Sequence, residues 1–139
     1  MVTIGRSDTV SELAERVAPD GDLFVVDESV DELERLRHDT AAPNVSYLIG
    51  TLEVLPLTDA SVDEVLATTA ALGADAPREC FRVLRPGGKV ALAAVDEDPP
   101  GQALNLDPRE LERLFSGTGF ASVNVAADRG RVVILARKP

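Results

Sequence analysis

Apolar runs that stop after four or five residues, each followed by a capped amphipathic stretch, recur along this chain, and that alternation admits few folds. Leu23-Phe24-Val25-Val26 is apolar at every position and ends at Asp27, as a strand buried on both faces of a parallel sheet would be. Behind it, Ser29-Val30-Asp31-Glu32 has the form of a capping box, and Val30, Leu33 and Leu36 recur at helical spacing. The unit is preceded by Val2-Thr3-Ile4, ending at Gly5, and by a second capping box, Thr9-Val10-Ser11-Glu12. Val10, Leu13, Ala14 and Val17 then share one helix face until Pro19-Asp20-Gly21 stops it. Val45-Ser46-Tyr47-Leu48-Ile49 is a third strand, closed by Gly50.

The second half continues the pattern. Turn formers fill Leu55-Pro56-Leu57-Thr58-Asp59-Ala60-Ser61, and Val65-Leu66-Ala67-Thr68 is the fourth strand. Pro77 suits the first turn of a helix with Cys80, Phe81 and Leu84 on its core face. Arg85-Pro86-Gly87-Gly88 turns the chain from that helix into the strand Lys89–Val95. A last helix starts at Asp107-Pro108, carries Leu111, Leu114 and Phe115, and stops at Gly117 and Gly119. Ser122–Val125 and Arg131–Leu135 flank Asp128-Arg129-Gly130, a hairpin signal. Together these predict an α/β fold, a doubly wound, mostly parallel sheet with one antiparallel strand, in a single domain over residues 1–139. Asp96–Gln102 is the longest irregular stretch and the best candidate for a mobile loop.

Composition narrows the chemistry. No apolar run approaches the ~20 residues of a membrane-spanning helix, and the N-terminus has no secretory pattern, so a soluble, cytoplasmic protein is expected. One cysteine (Cys80) and one histidine (His38) exclude an intramolecular disulfide, a multi-cysteine metal site and leave little for zinc or a Ser-His-Asp arrangement. No metal is expected. With 24 acidic against 14 basic residues the net charge is −10, which disfavours nucleic acid as a partner. Only two of the basic residues, Lys89 and Lys138, are lysines. A GC-rich genome and a high-salt cytoplasm both account for that balance, and the second implies self-repulsion at low ionic strength.

Leu55-Pro56-Leu57, Asp59-Ala60-Ser61-Val62-Asp63 and Arg78-Glu79-Cys80-Phe81-Arg82-Val83-Leu84-Arg85-Pro86-Gly87-Gly88-Lys89 together resemble the downstream half of the S-adenosylmethionine-dependent methyltransferases with the Rossmann-like fold. Their type-11 (UbiE-like) branch is the most similar, with its "LPF-x-DASFD" and "E-x-x-RVLRPGG" segments. The resemblance implies the strand order 3-2-1-4-5-7-6, a chain truncated at its N-terminus relative to the family, S-adenosylmethionine as cofactor, and methyl transfer to a small-molecule acceptor.

The family's glycine loop, D/E-x-G-x-G-x-G, falls on Thr3, Gly5, Ser7 and Thr9, of which only Gly5 is retained. Asp27, with Glu28 beside it, matches the acidic residue that accepts the ribose hydroxyls. The residues alone leave Asp27 equally open to a turn or cap role. Where the family places Gly-Asp after the third strand, this chain has Gly50-Thr51-Leu52-Glu53, so Thr51 could accept a bond and Leu52 could touch the adenine. The expected cofactor-binding set is therefore Gly5, Asp27, Glu28, Thr51 and Leu52. No catalytic residue is assigned, since methyl transfer needs mainly positioning. Asp96, Glu97 or Asp98 could act as a base toward the acceptor, or form an acidic solvated loop. Bland roles suit Asp63 (structural), Cys80 (a buried inert thiol) and His38 (closing a helix), whereas Tyr47 could pack or line a groove. The altered glycine loop keeps an alternative open: a catalytically inactive binding or assembly module on the same scaffold. A nicotinamide enzyme fits less well, as G-x-G-x-x-G is absent. With the cofactor side uncovered, pairing as a homodimer or with a different chain is expected.

Overall fold

The continuous apolar runs occupy the middle of one sheet. In the computed structural model, which describes residues 2–4, 14–16, 21–39, 43–69, 75–95, 108–128 and 131–139, seven strands are hydrogen-bonded side by side. They are β1 (Val2–Ile4), β2 (Leu23–Asp27), β3 (Val45–Ile49), β4 (Val62–Thr69), β5 (Leu84–Val95), β6 (Ala121–Asp128) and β7 (Arg131–Arg137). Their spatial order is β3-β2-β1-β4-β5-β7-β6. The first five run parallel, while β7 is antiparallel to both β5 and β6. Among the described residues, the helices with defined bounds are α1 (Val30–Asp39), α2 (Ala76–Val83) and α3 (Pro108–Thr118), and residues 14–16 are also helical.

β2 shows why its sequence does not alternate in polarity. Leu23 and Val25 enter one core cluster with Leu33 and Leu36 of α1, while Val26 and Phe24 face a second with Cys80, Val83 and Leu84, Leu111 and Phe115. Both faces of the strand are covered, so every position must be apolar. The second cluster is the larger and extends to β7, through Val132, Ile134 and Ala136.

Several elements differ in detail from expectation. β4 begins three residues earlier, at Val62, and α3 continues through Gly117 to Thr118. Val83 rather than Leu84 completes the inner face of α2, because the helix ends at Val83 and Leu84 is already the first residue of β5. Arg85-Pro86-Gly87-Gly88 is thus a bulge inside the strand rather than a turn before it. Leu84 pairs with Val62 and Lys89 with Glu64, so five steps on β5 oppose two on β4. The two glycines serve different needs. Gly87 has φ +87° with open space around it, whereas a methyl on Gly88 would come 2.9 Å from the Arg85 carbonyl and from Leu84 Cδ2.

Lys138 closes the bulge. Its carbonyl accepts from the Gly87 N–H and its own N–H donates to the Gly88 carbonyl, both at 2.8 Å. Its Nζ donates to the carbonyls of Phe81 and Leu84, also at 2.8 Å, and sits 4.5 Å from the Phe81 ring centroid. A cation thus satisfies carbonyls at the C-terminal end of α2, where the helix dipole favours it.

Candidate functional site

In open α/β sheets ligands bind outside the carboxyl ends of the strands, near the point where strand order reverses. Here that edge lies at β2, β3 and β4, on either side of β1. Asp27 ends β2 opposite Ile49, the last residue of β3. The Gly50 N–H donates to the Asp27 carbonyl at 3.0 Å, tying the two strand ends together. The Asp27 carboxylate is half-buried; its Oδ1 accepts the Ser29 N–H at 2.8 Å, and its other oxygen has no partner among the described residues. The turn reading of Asp27 is thus seen directly, one oxygen shaping the entry into α1. Glu28 follows, exposed.

That bond alters the capping box. Ser29 Oγ accepts the Glu32 N–H at 3.2 Å, but the Ser29 N–H is already taken by Asp27, and Glu32 turns instead to the Arg35 guanidinium. Only half of the expected reciprocal cap is formed. Val30, expected inward, is 53% exposed; Leu33 and Leu36 alone carry the buried face of α1.

The β3 corner divides its residues between rim and core. Thr51 spends both its N–H and its hydroxyl in a turn with Val54: Thr51 N–H to Val54 carbonyl is 3.2 Å, and Thr51 Oγ1 accepts the Val54 N–H at 3.1 Å. Leu52 points inward, 5% exposed in the larger core. Apolar surface at the corner comes instead from Ile49 and Val54, 61% and 70% exposed. A methyl group on Gly50 would come 2.7 Å from Pro56 Cδ, so glycine is what lets the chain double back there. Gly5, Ser7, Asp8, Thr9 and the Asp96–Asp98 acids lie outside the described residues.

Residues 50–61 cross from β3 to β4 without a helix, so their buried backbone groups need partners from elsewhere. Glu79 and Arg82 of α2 supply them. The Leu55 N–H donates to Glu79 Oε2 at 2.7 Å, and Arg82 Nη2 donates to the Leu55 carbonyl at 3.0 Å. Arg82 Nη1 donates to the Leu57 carbonyl at 2.7 Å and to Asp59 Oδ1 at 2.9 Å. Its Nε and Nη2 also hold Glu79 Oε1 and Oε2, at 2.8 and 2.9 Å. Arg82 keeps the Glu79 carboxyl below the usual carboxylate range, and the Leu55 N–H helps, against the opposing effect of burial. The guanidinium pKa is raised in turn, chiefly by Glu79 and then by Asp59. Sequence reasoning assigned these residues no role of their own; the signal was the co-occurrence of Leu-Pro-x-x-Asp with Glu-x-x-Arg.

Other candidates are structural. Asp63 pairs with Arg85 across the bulge at 2.9 Å. Cys80 is fully buried, its thiol pushed up to about 12 chiefly by desolvation, which leaves no thiolate for nucleophilic work. Tyr47 packs, its hydroxyl donating to the Leu36 carbonyl at 3.3 Å. His38 lies exposed in the last turn of α1.

The sheet order β3-β2-β1-β4-β5-β7-β6, with helices on both faces, places the chain in the doubly wound α/β class. The family described as "Methyltransferase domain" matches residues 2–88, and the chain belongs to it, within the S-adenosylmethionine-dependent methyltransferase superfamily. Among curated relatives, an arsenite methyltransferase of Halobacterium salinarum is 32% identical over 75% of this chain and 29% of its own length. A malonyl-[acyl-carrier protein] O-methyltransferase of Methylococcus capsulatus is 34% identical over 82% of this chain and 41% of its own. The chain thus spans well under half of either relative. A chain from the complex between the Haloferax volcanii Trm112 methyltransferase activator and a methyltransferase superposes with TM-score 0.76 at 20% identity, covering 99% of this chain and 81% of that one. No helix among the described residues is long and apolar enough to cross a membrane.

Proposed function

We propose that residues 1–139 form a single cofactor-binding domain of a cytoplasmic S-adenosylmethionine-dependent methyltransferase acting on a small-molecule acceptor. The observation that carries this is the Asp27 carboxylate, ending β2 with one oxygen committed to the Ser29 turn and the other without a partner among the described residues. A carboxylate so placed can accept bonds from the cofactor's ribose hydroxyls. The donor set fits the cofactor: an open acceptor at Asp27, with exposed apolar surface at Ile49 and Val54 on the neighbouring corner. S-adenosylmethionine, when bound, supplies an electrophilic methyl group. The chain's own task is to hold and orient, which is sufficient for a displacement that needs alignment more than proton transfer. Gly5 and Glu28 belong to the same proposed set; Thr51 serves by shaping the rim and Leu52 by anchoring it from the core.

Relatives named for acceptors as different as arsenite and malonyl-[acyl-carrier protein] support methyl transfer while leaving the acceptor open. Likeness to a chain from an activator complex supports a hetero-partner, with a second copy of this chain as the other pairing. Calorimetric titration with S-adenosylhomocysteine tests the proposal. A dissociation constant below about 100 μM is expected. Asp27→Asn keeps the turn acceptor but weakens the diol contact, and should raise that constant about tenfold. No heat at millimolar ligand would overturn the assignment.

A further inference from the structure

We infer that Arg82, acting with Glu79, is a positioning residue for the cofactor crevice: the pair sets the Thr51–Val54 rim turn by gripping Leu55, on which that turn is rooted. The inference rests on the methyltransferase reading above and adds the device that holds one wall of its site. The turn lies between two anchors. On one side the Gly50 N–H is fixed to the Asp27 carbonyl, so the turn starts from the residue proposed to hold the ribose. On the other, both backbone groups of Leu55 are bound by α2, one by Glu79 and one by Arg82. No helix spans residues 50–61 to fix their path by its own hydrogen bonds; the Arg82 and Val83 carbonyls hold the Ala60 and Ser61 N–H groups, and the side chains of α2 hold Leu55, Leu57 and Asp59.

The guanidinium is fully committed to this task. Its five N–H donors meet five acceptors: both Glu79 oxygens, the Leu55 and Leu57 carbonyls, and Asp59. A lysine has three donors on a flexible stem and cannot reproduce that fork. Releasing Leu55 frees the Val54 end of the turn while the Gly50 end stays tied to Asp27. The rim then samples positions other than the one in which Val54 is bridged to Thr51, next to the Gly50–Asp27 tie. Cofactor affinity should fall although no cofactor contact is removed.

The test compares the 139-residue chain with Arg82→Gln, Arg82→Lys and Arg85→Gln, the last removing an exposed ion pair to Asp63 that does not touch the crossover. Two quantities are read well below each melting temperature: the dissociation constant for S-adenosylhomocysteine, and amide hydrogen exchange of the segment 50–61. R82Q should speed exchange in that segment and weaken binding about tenfold, with R82K between it and the wild type and R85Q unchanged in both. A purely structural role would lower the melting temperature without moving the constant. Binding by R82Q within about twofold of wild type, or unchanged exchange, overturns the inference while leaving the methyltransferase reading intact. Should R82Q fail to fold, R82K decides by the same two readouts. No binding by the wild-type chain overturns the methyltransferase reading, and the positioning role falls with it.

Discussion

Glu79 illustrates how a residue can look like a surface charge and serve as an interior one. Spaced three residues from Arg82 on a helix, it reads in sequence as one more exposed ion pair, the kind worth a few tenths of a kcal/mol. What makes it different is Leu55, 24 positions away, whose buried N–H it accepts. Nothing local in the sequence carries that contact. Its pH consequence follows from the sign of the shift. The folded-state pKa lies below the ordinary 4.5, so the unfolded chain binds the proton more readily. The stabilisation is whole above that ordinary value and is lost as pH falls through the depressed one. Glu79→Gln should therefore cost about 2 kcal/mol at neutral pH, from the weakened charge-assisted bonds. It should also flatten the fall in stability below about pH 5, as followed by circular dichroism in an acid titration. An unchanged acid limb would show that other carboxylates govern it. Asp27 was more legible, because its position at the end of an apolar run before Ser29 is a local signal. What the sequence left undecided was whether Asp27 serves the turn, and its Oδ1 does accept the Ser29 N–H.

At the scale of elements, the strands were readable wherever both faces are covered, since burial on two sides leaves an unbroken apolar run. β4 was under-read at its start because Val62-Asp63-Glu64 mixes signals: Val62 is core, while Asp63 is exposed and serves the bulge. The bulge reads in sequence as a simple turn because proline and paired glycines have the same local signature in either setting. What separates the two is the partner strand and Lys138, whose Nζ reaches carbonyls 54 and 57 residues back. Removing that ammonium leaves the carbonyls at the end of α2 without their cationic partner and the Phe81 ring without its cation. Lys138→Ala should lower stability by about 1–2 kcal/mol, seen as a lower urea midpoint at constant slope. A changed slope would mean that the bulge had come apart as well.

For the whole molecule, the doubly wound order was legible because parallel neighbours need long crossovers, and the spacing of the apolar runs allows for them. The crossover from β3 to β4 is the exception in kind, having no helix, and its support could not be read from its own residues. The net charge of −10 acts at this scale too, as mutual repulsion favouring expansion in dilute buffer. Since the screening length shrinks from about 30 Å at 0.01 M to about 3 Å at 1 M salt, the melting temperature should rise between dilute and molar KCl. A flat profile would attribute the acidity to codon composition instead. The helix-free crossover has a further consequence for how such a protein can diversify. Inserting one residue into a helix rotates everything beyond it by about 100°. A segment pinned at Leu55 carries no such penalty: its turn at Glu53-Val54 can lengthen or shrink while the pinned end stays in place, so this corner of the sheet edge can change shape without redesigning the scaffold beneath.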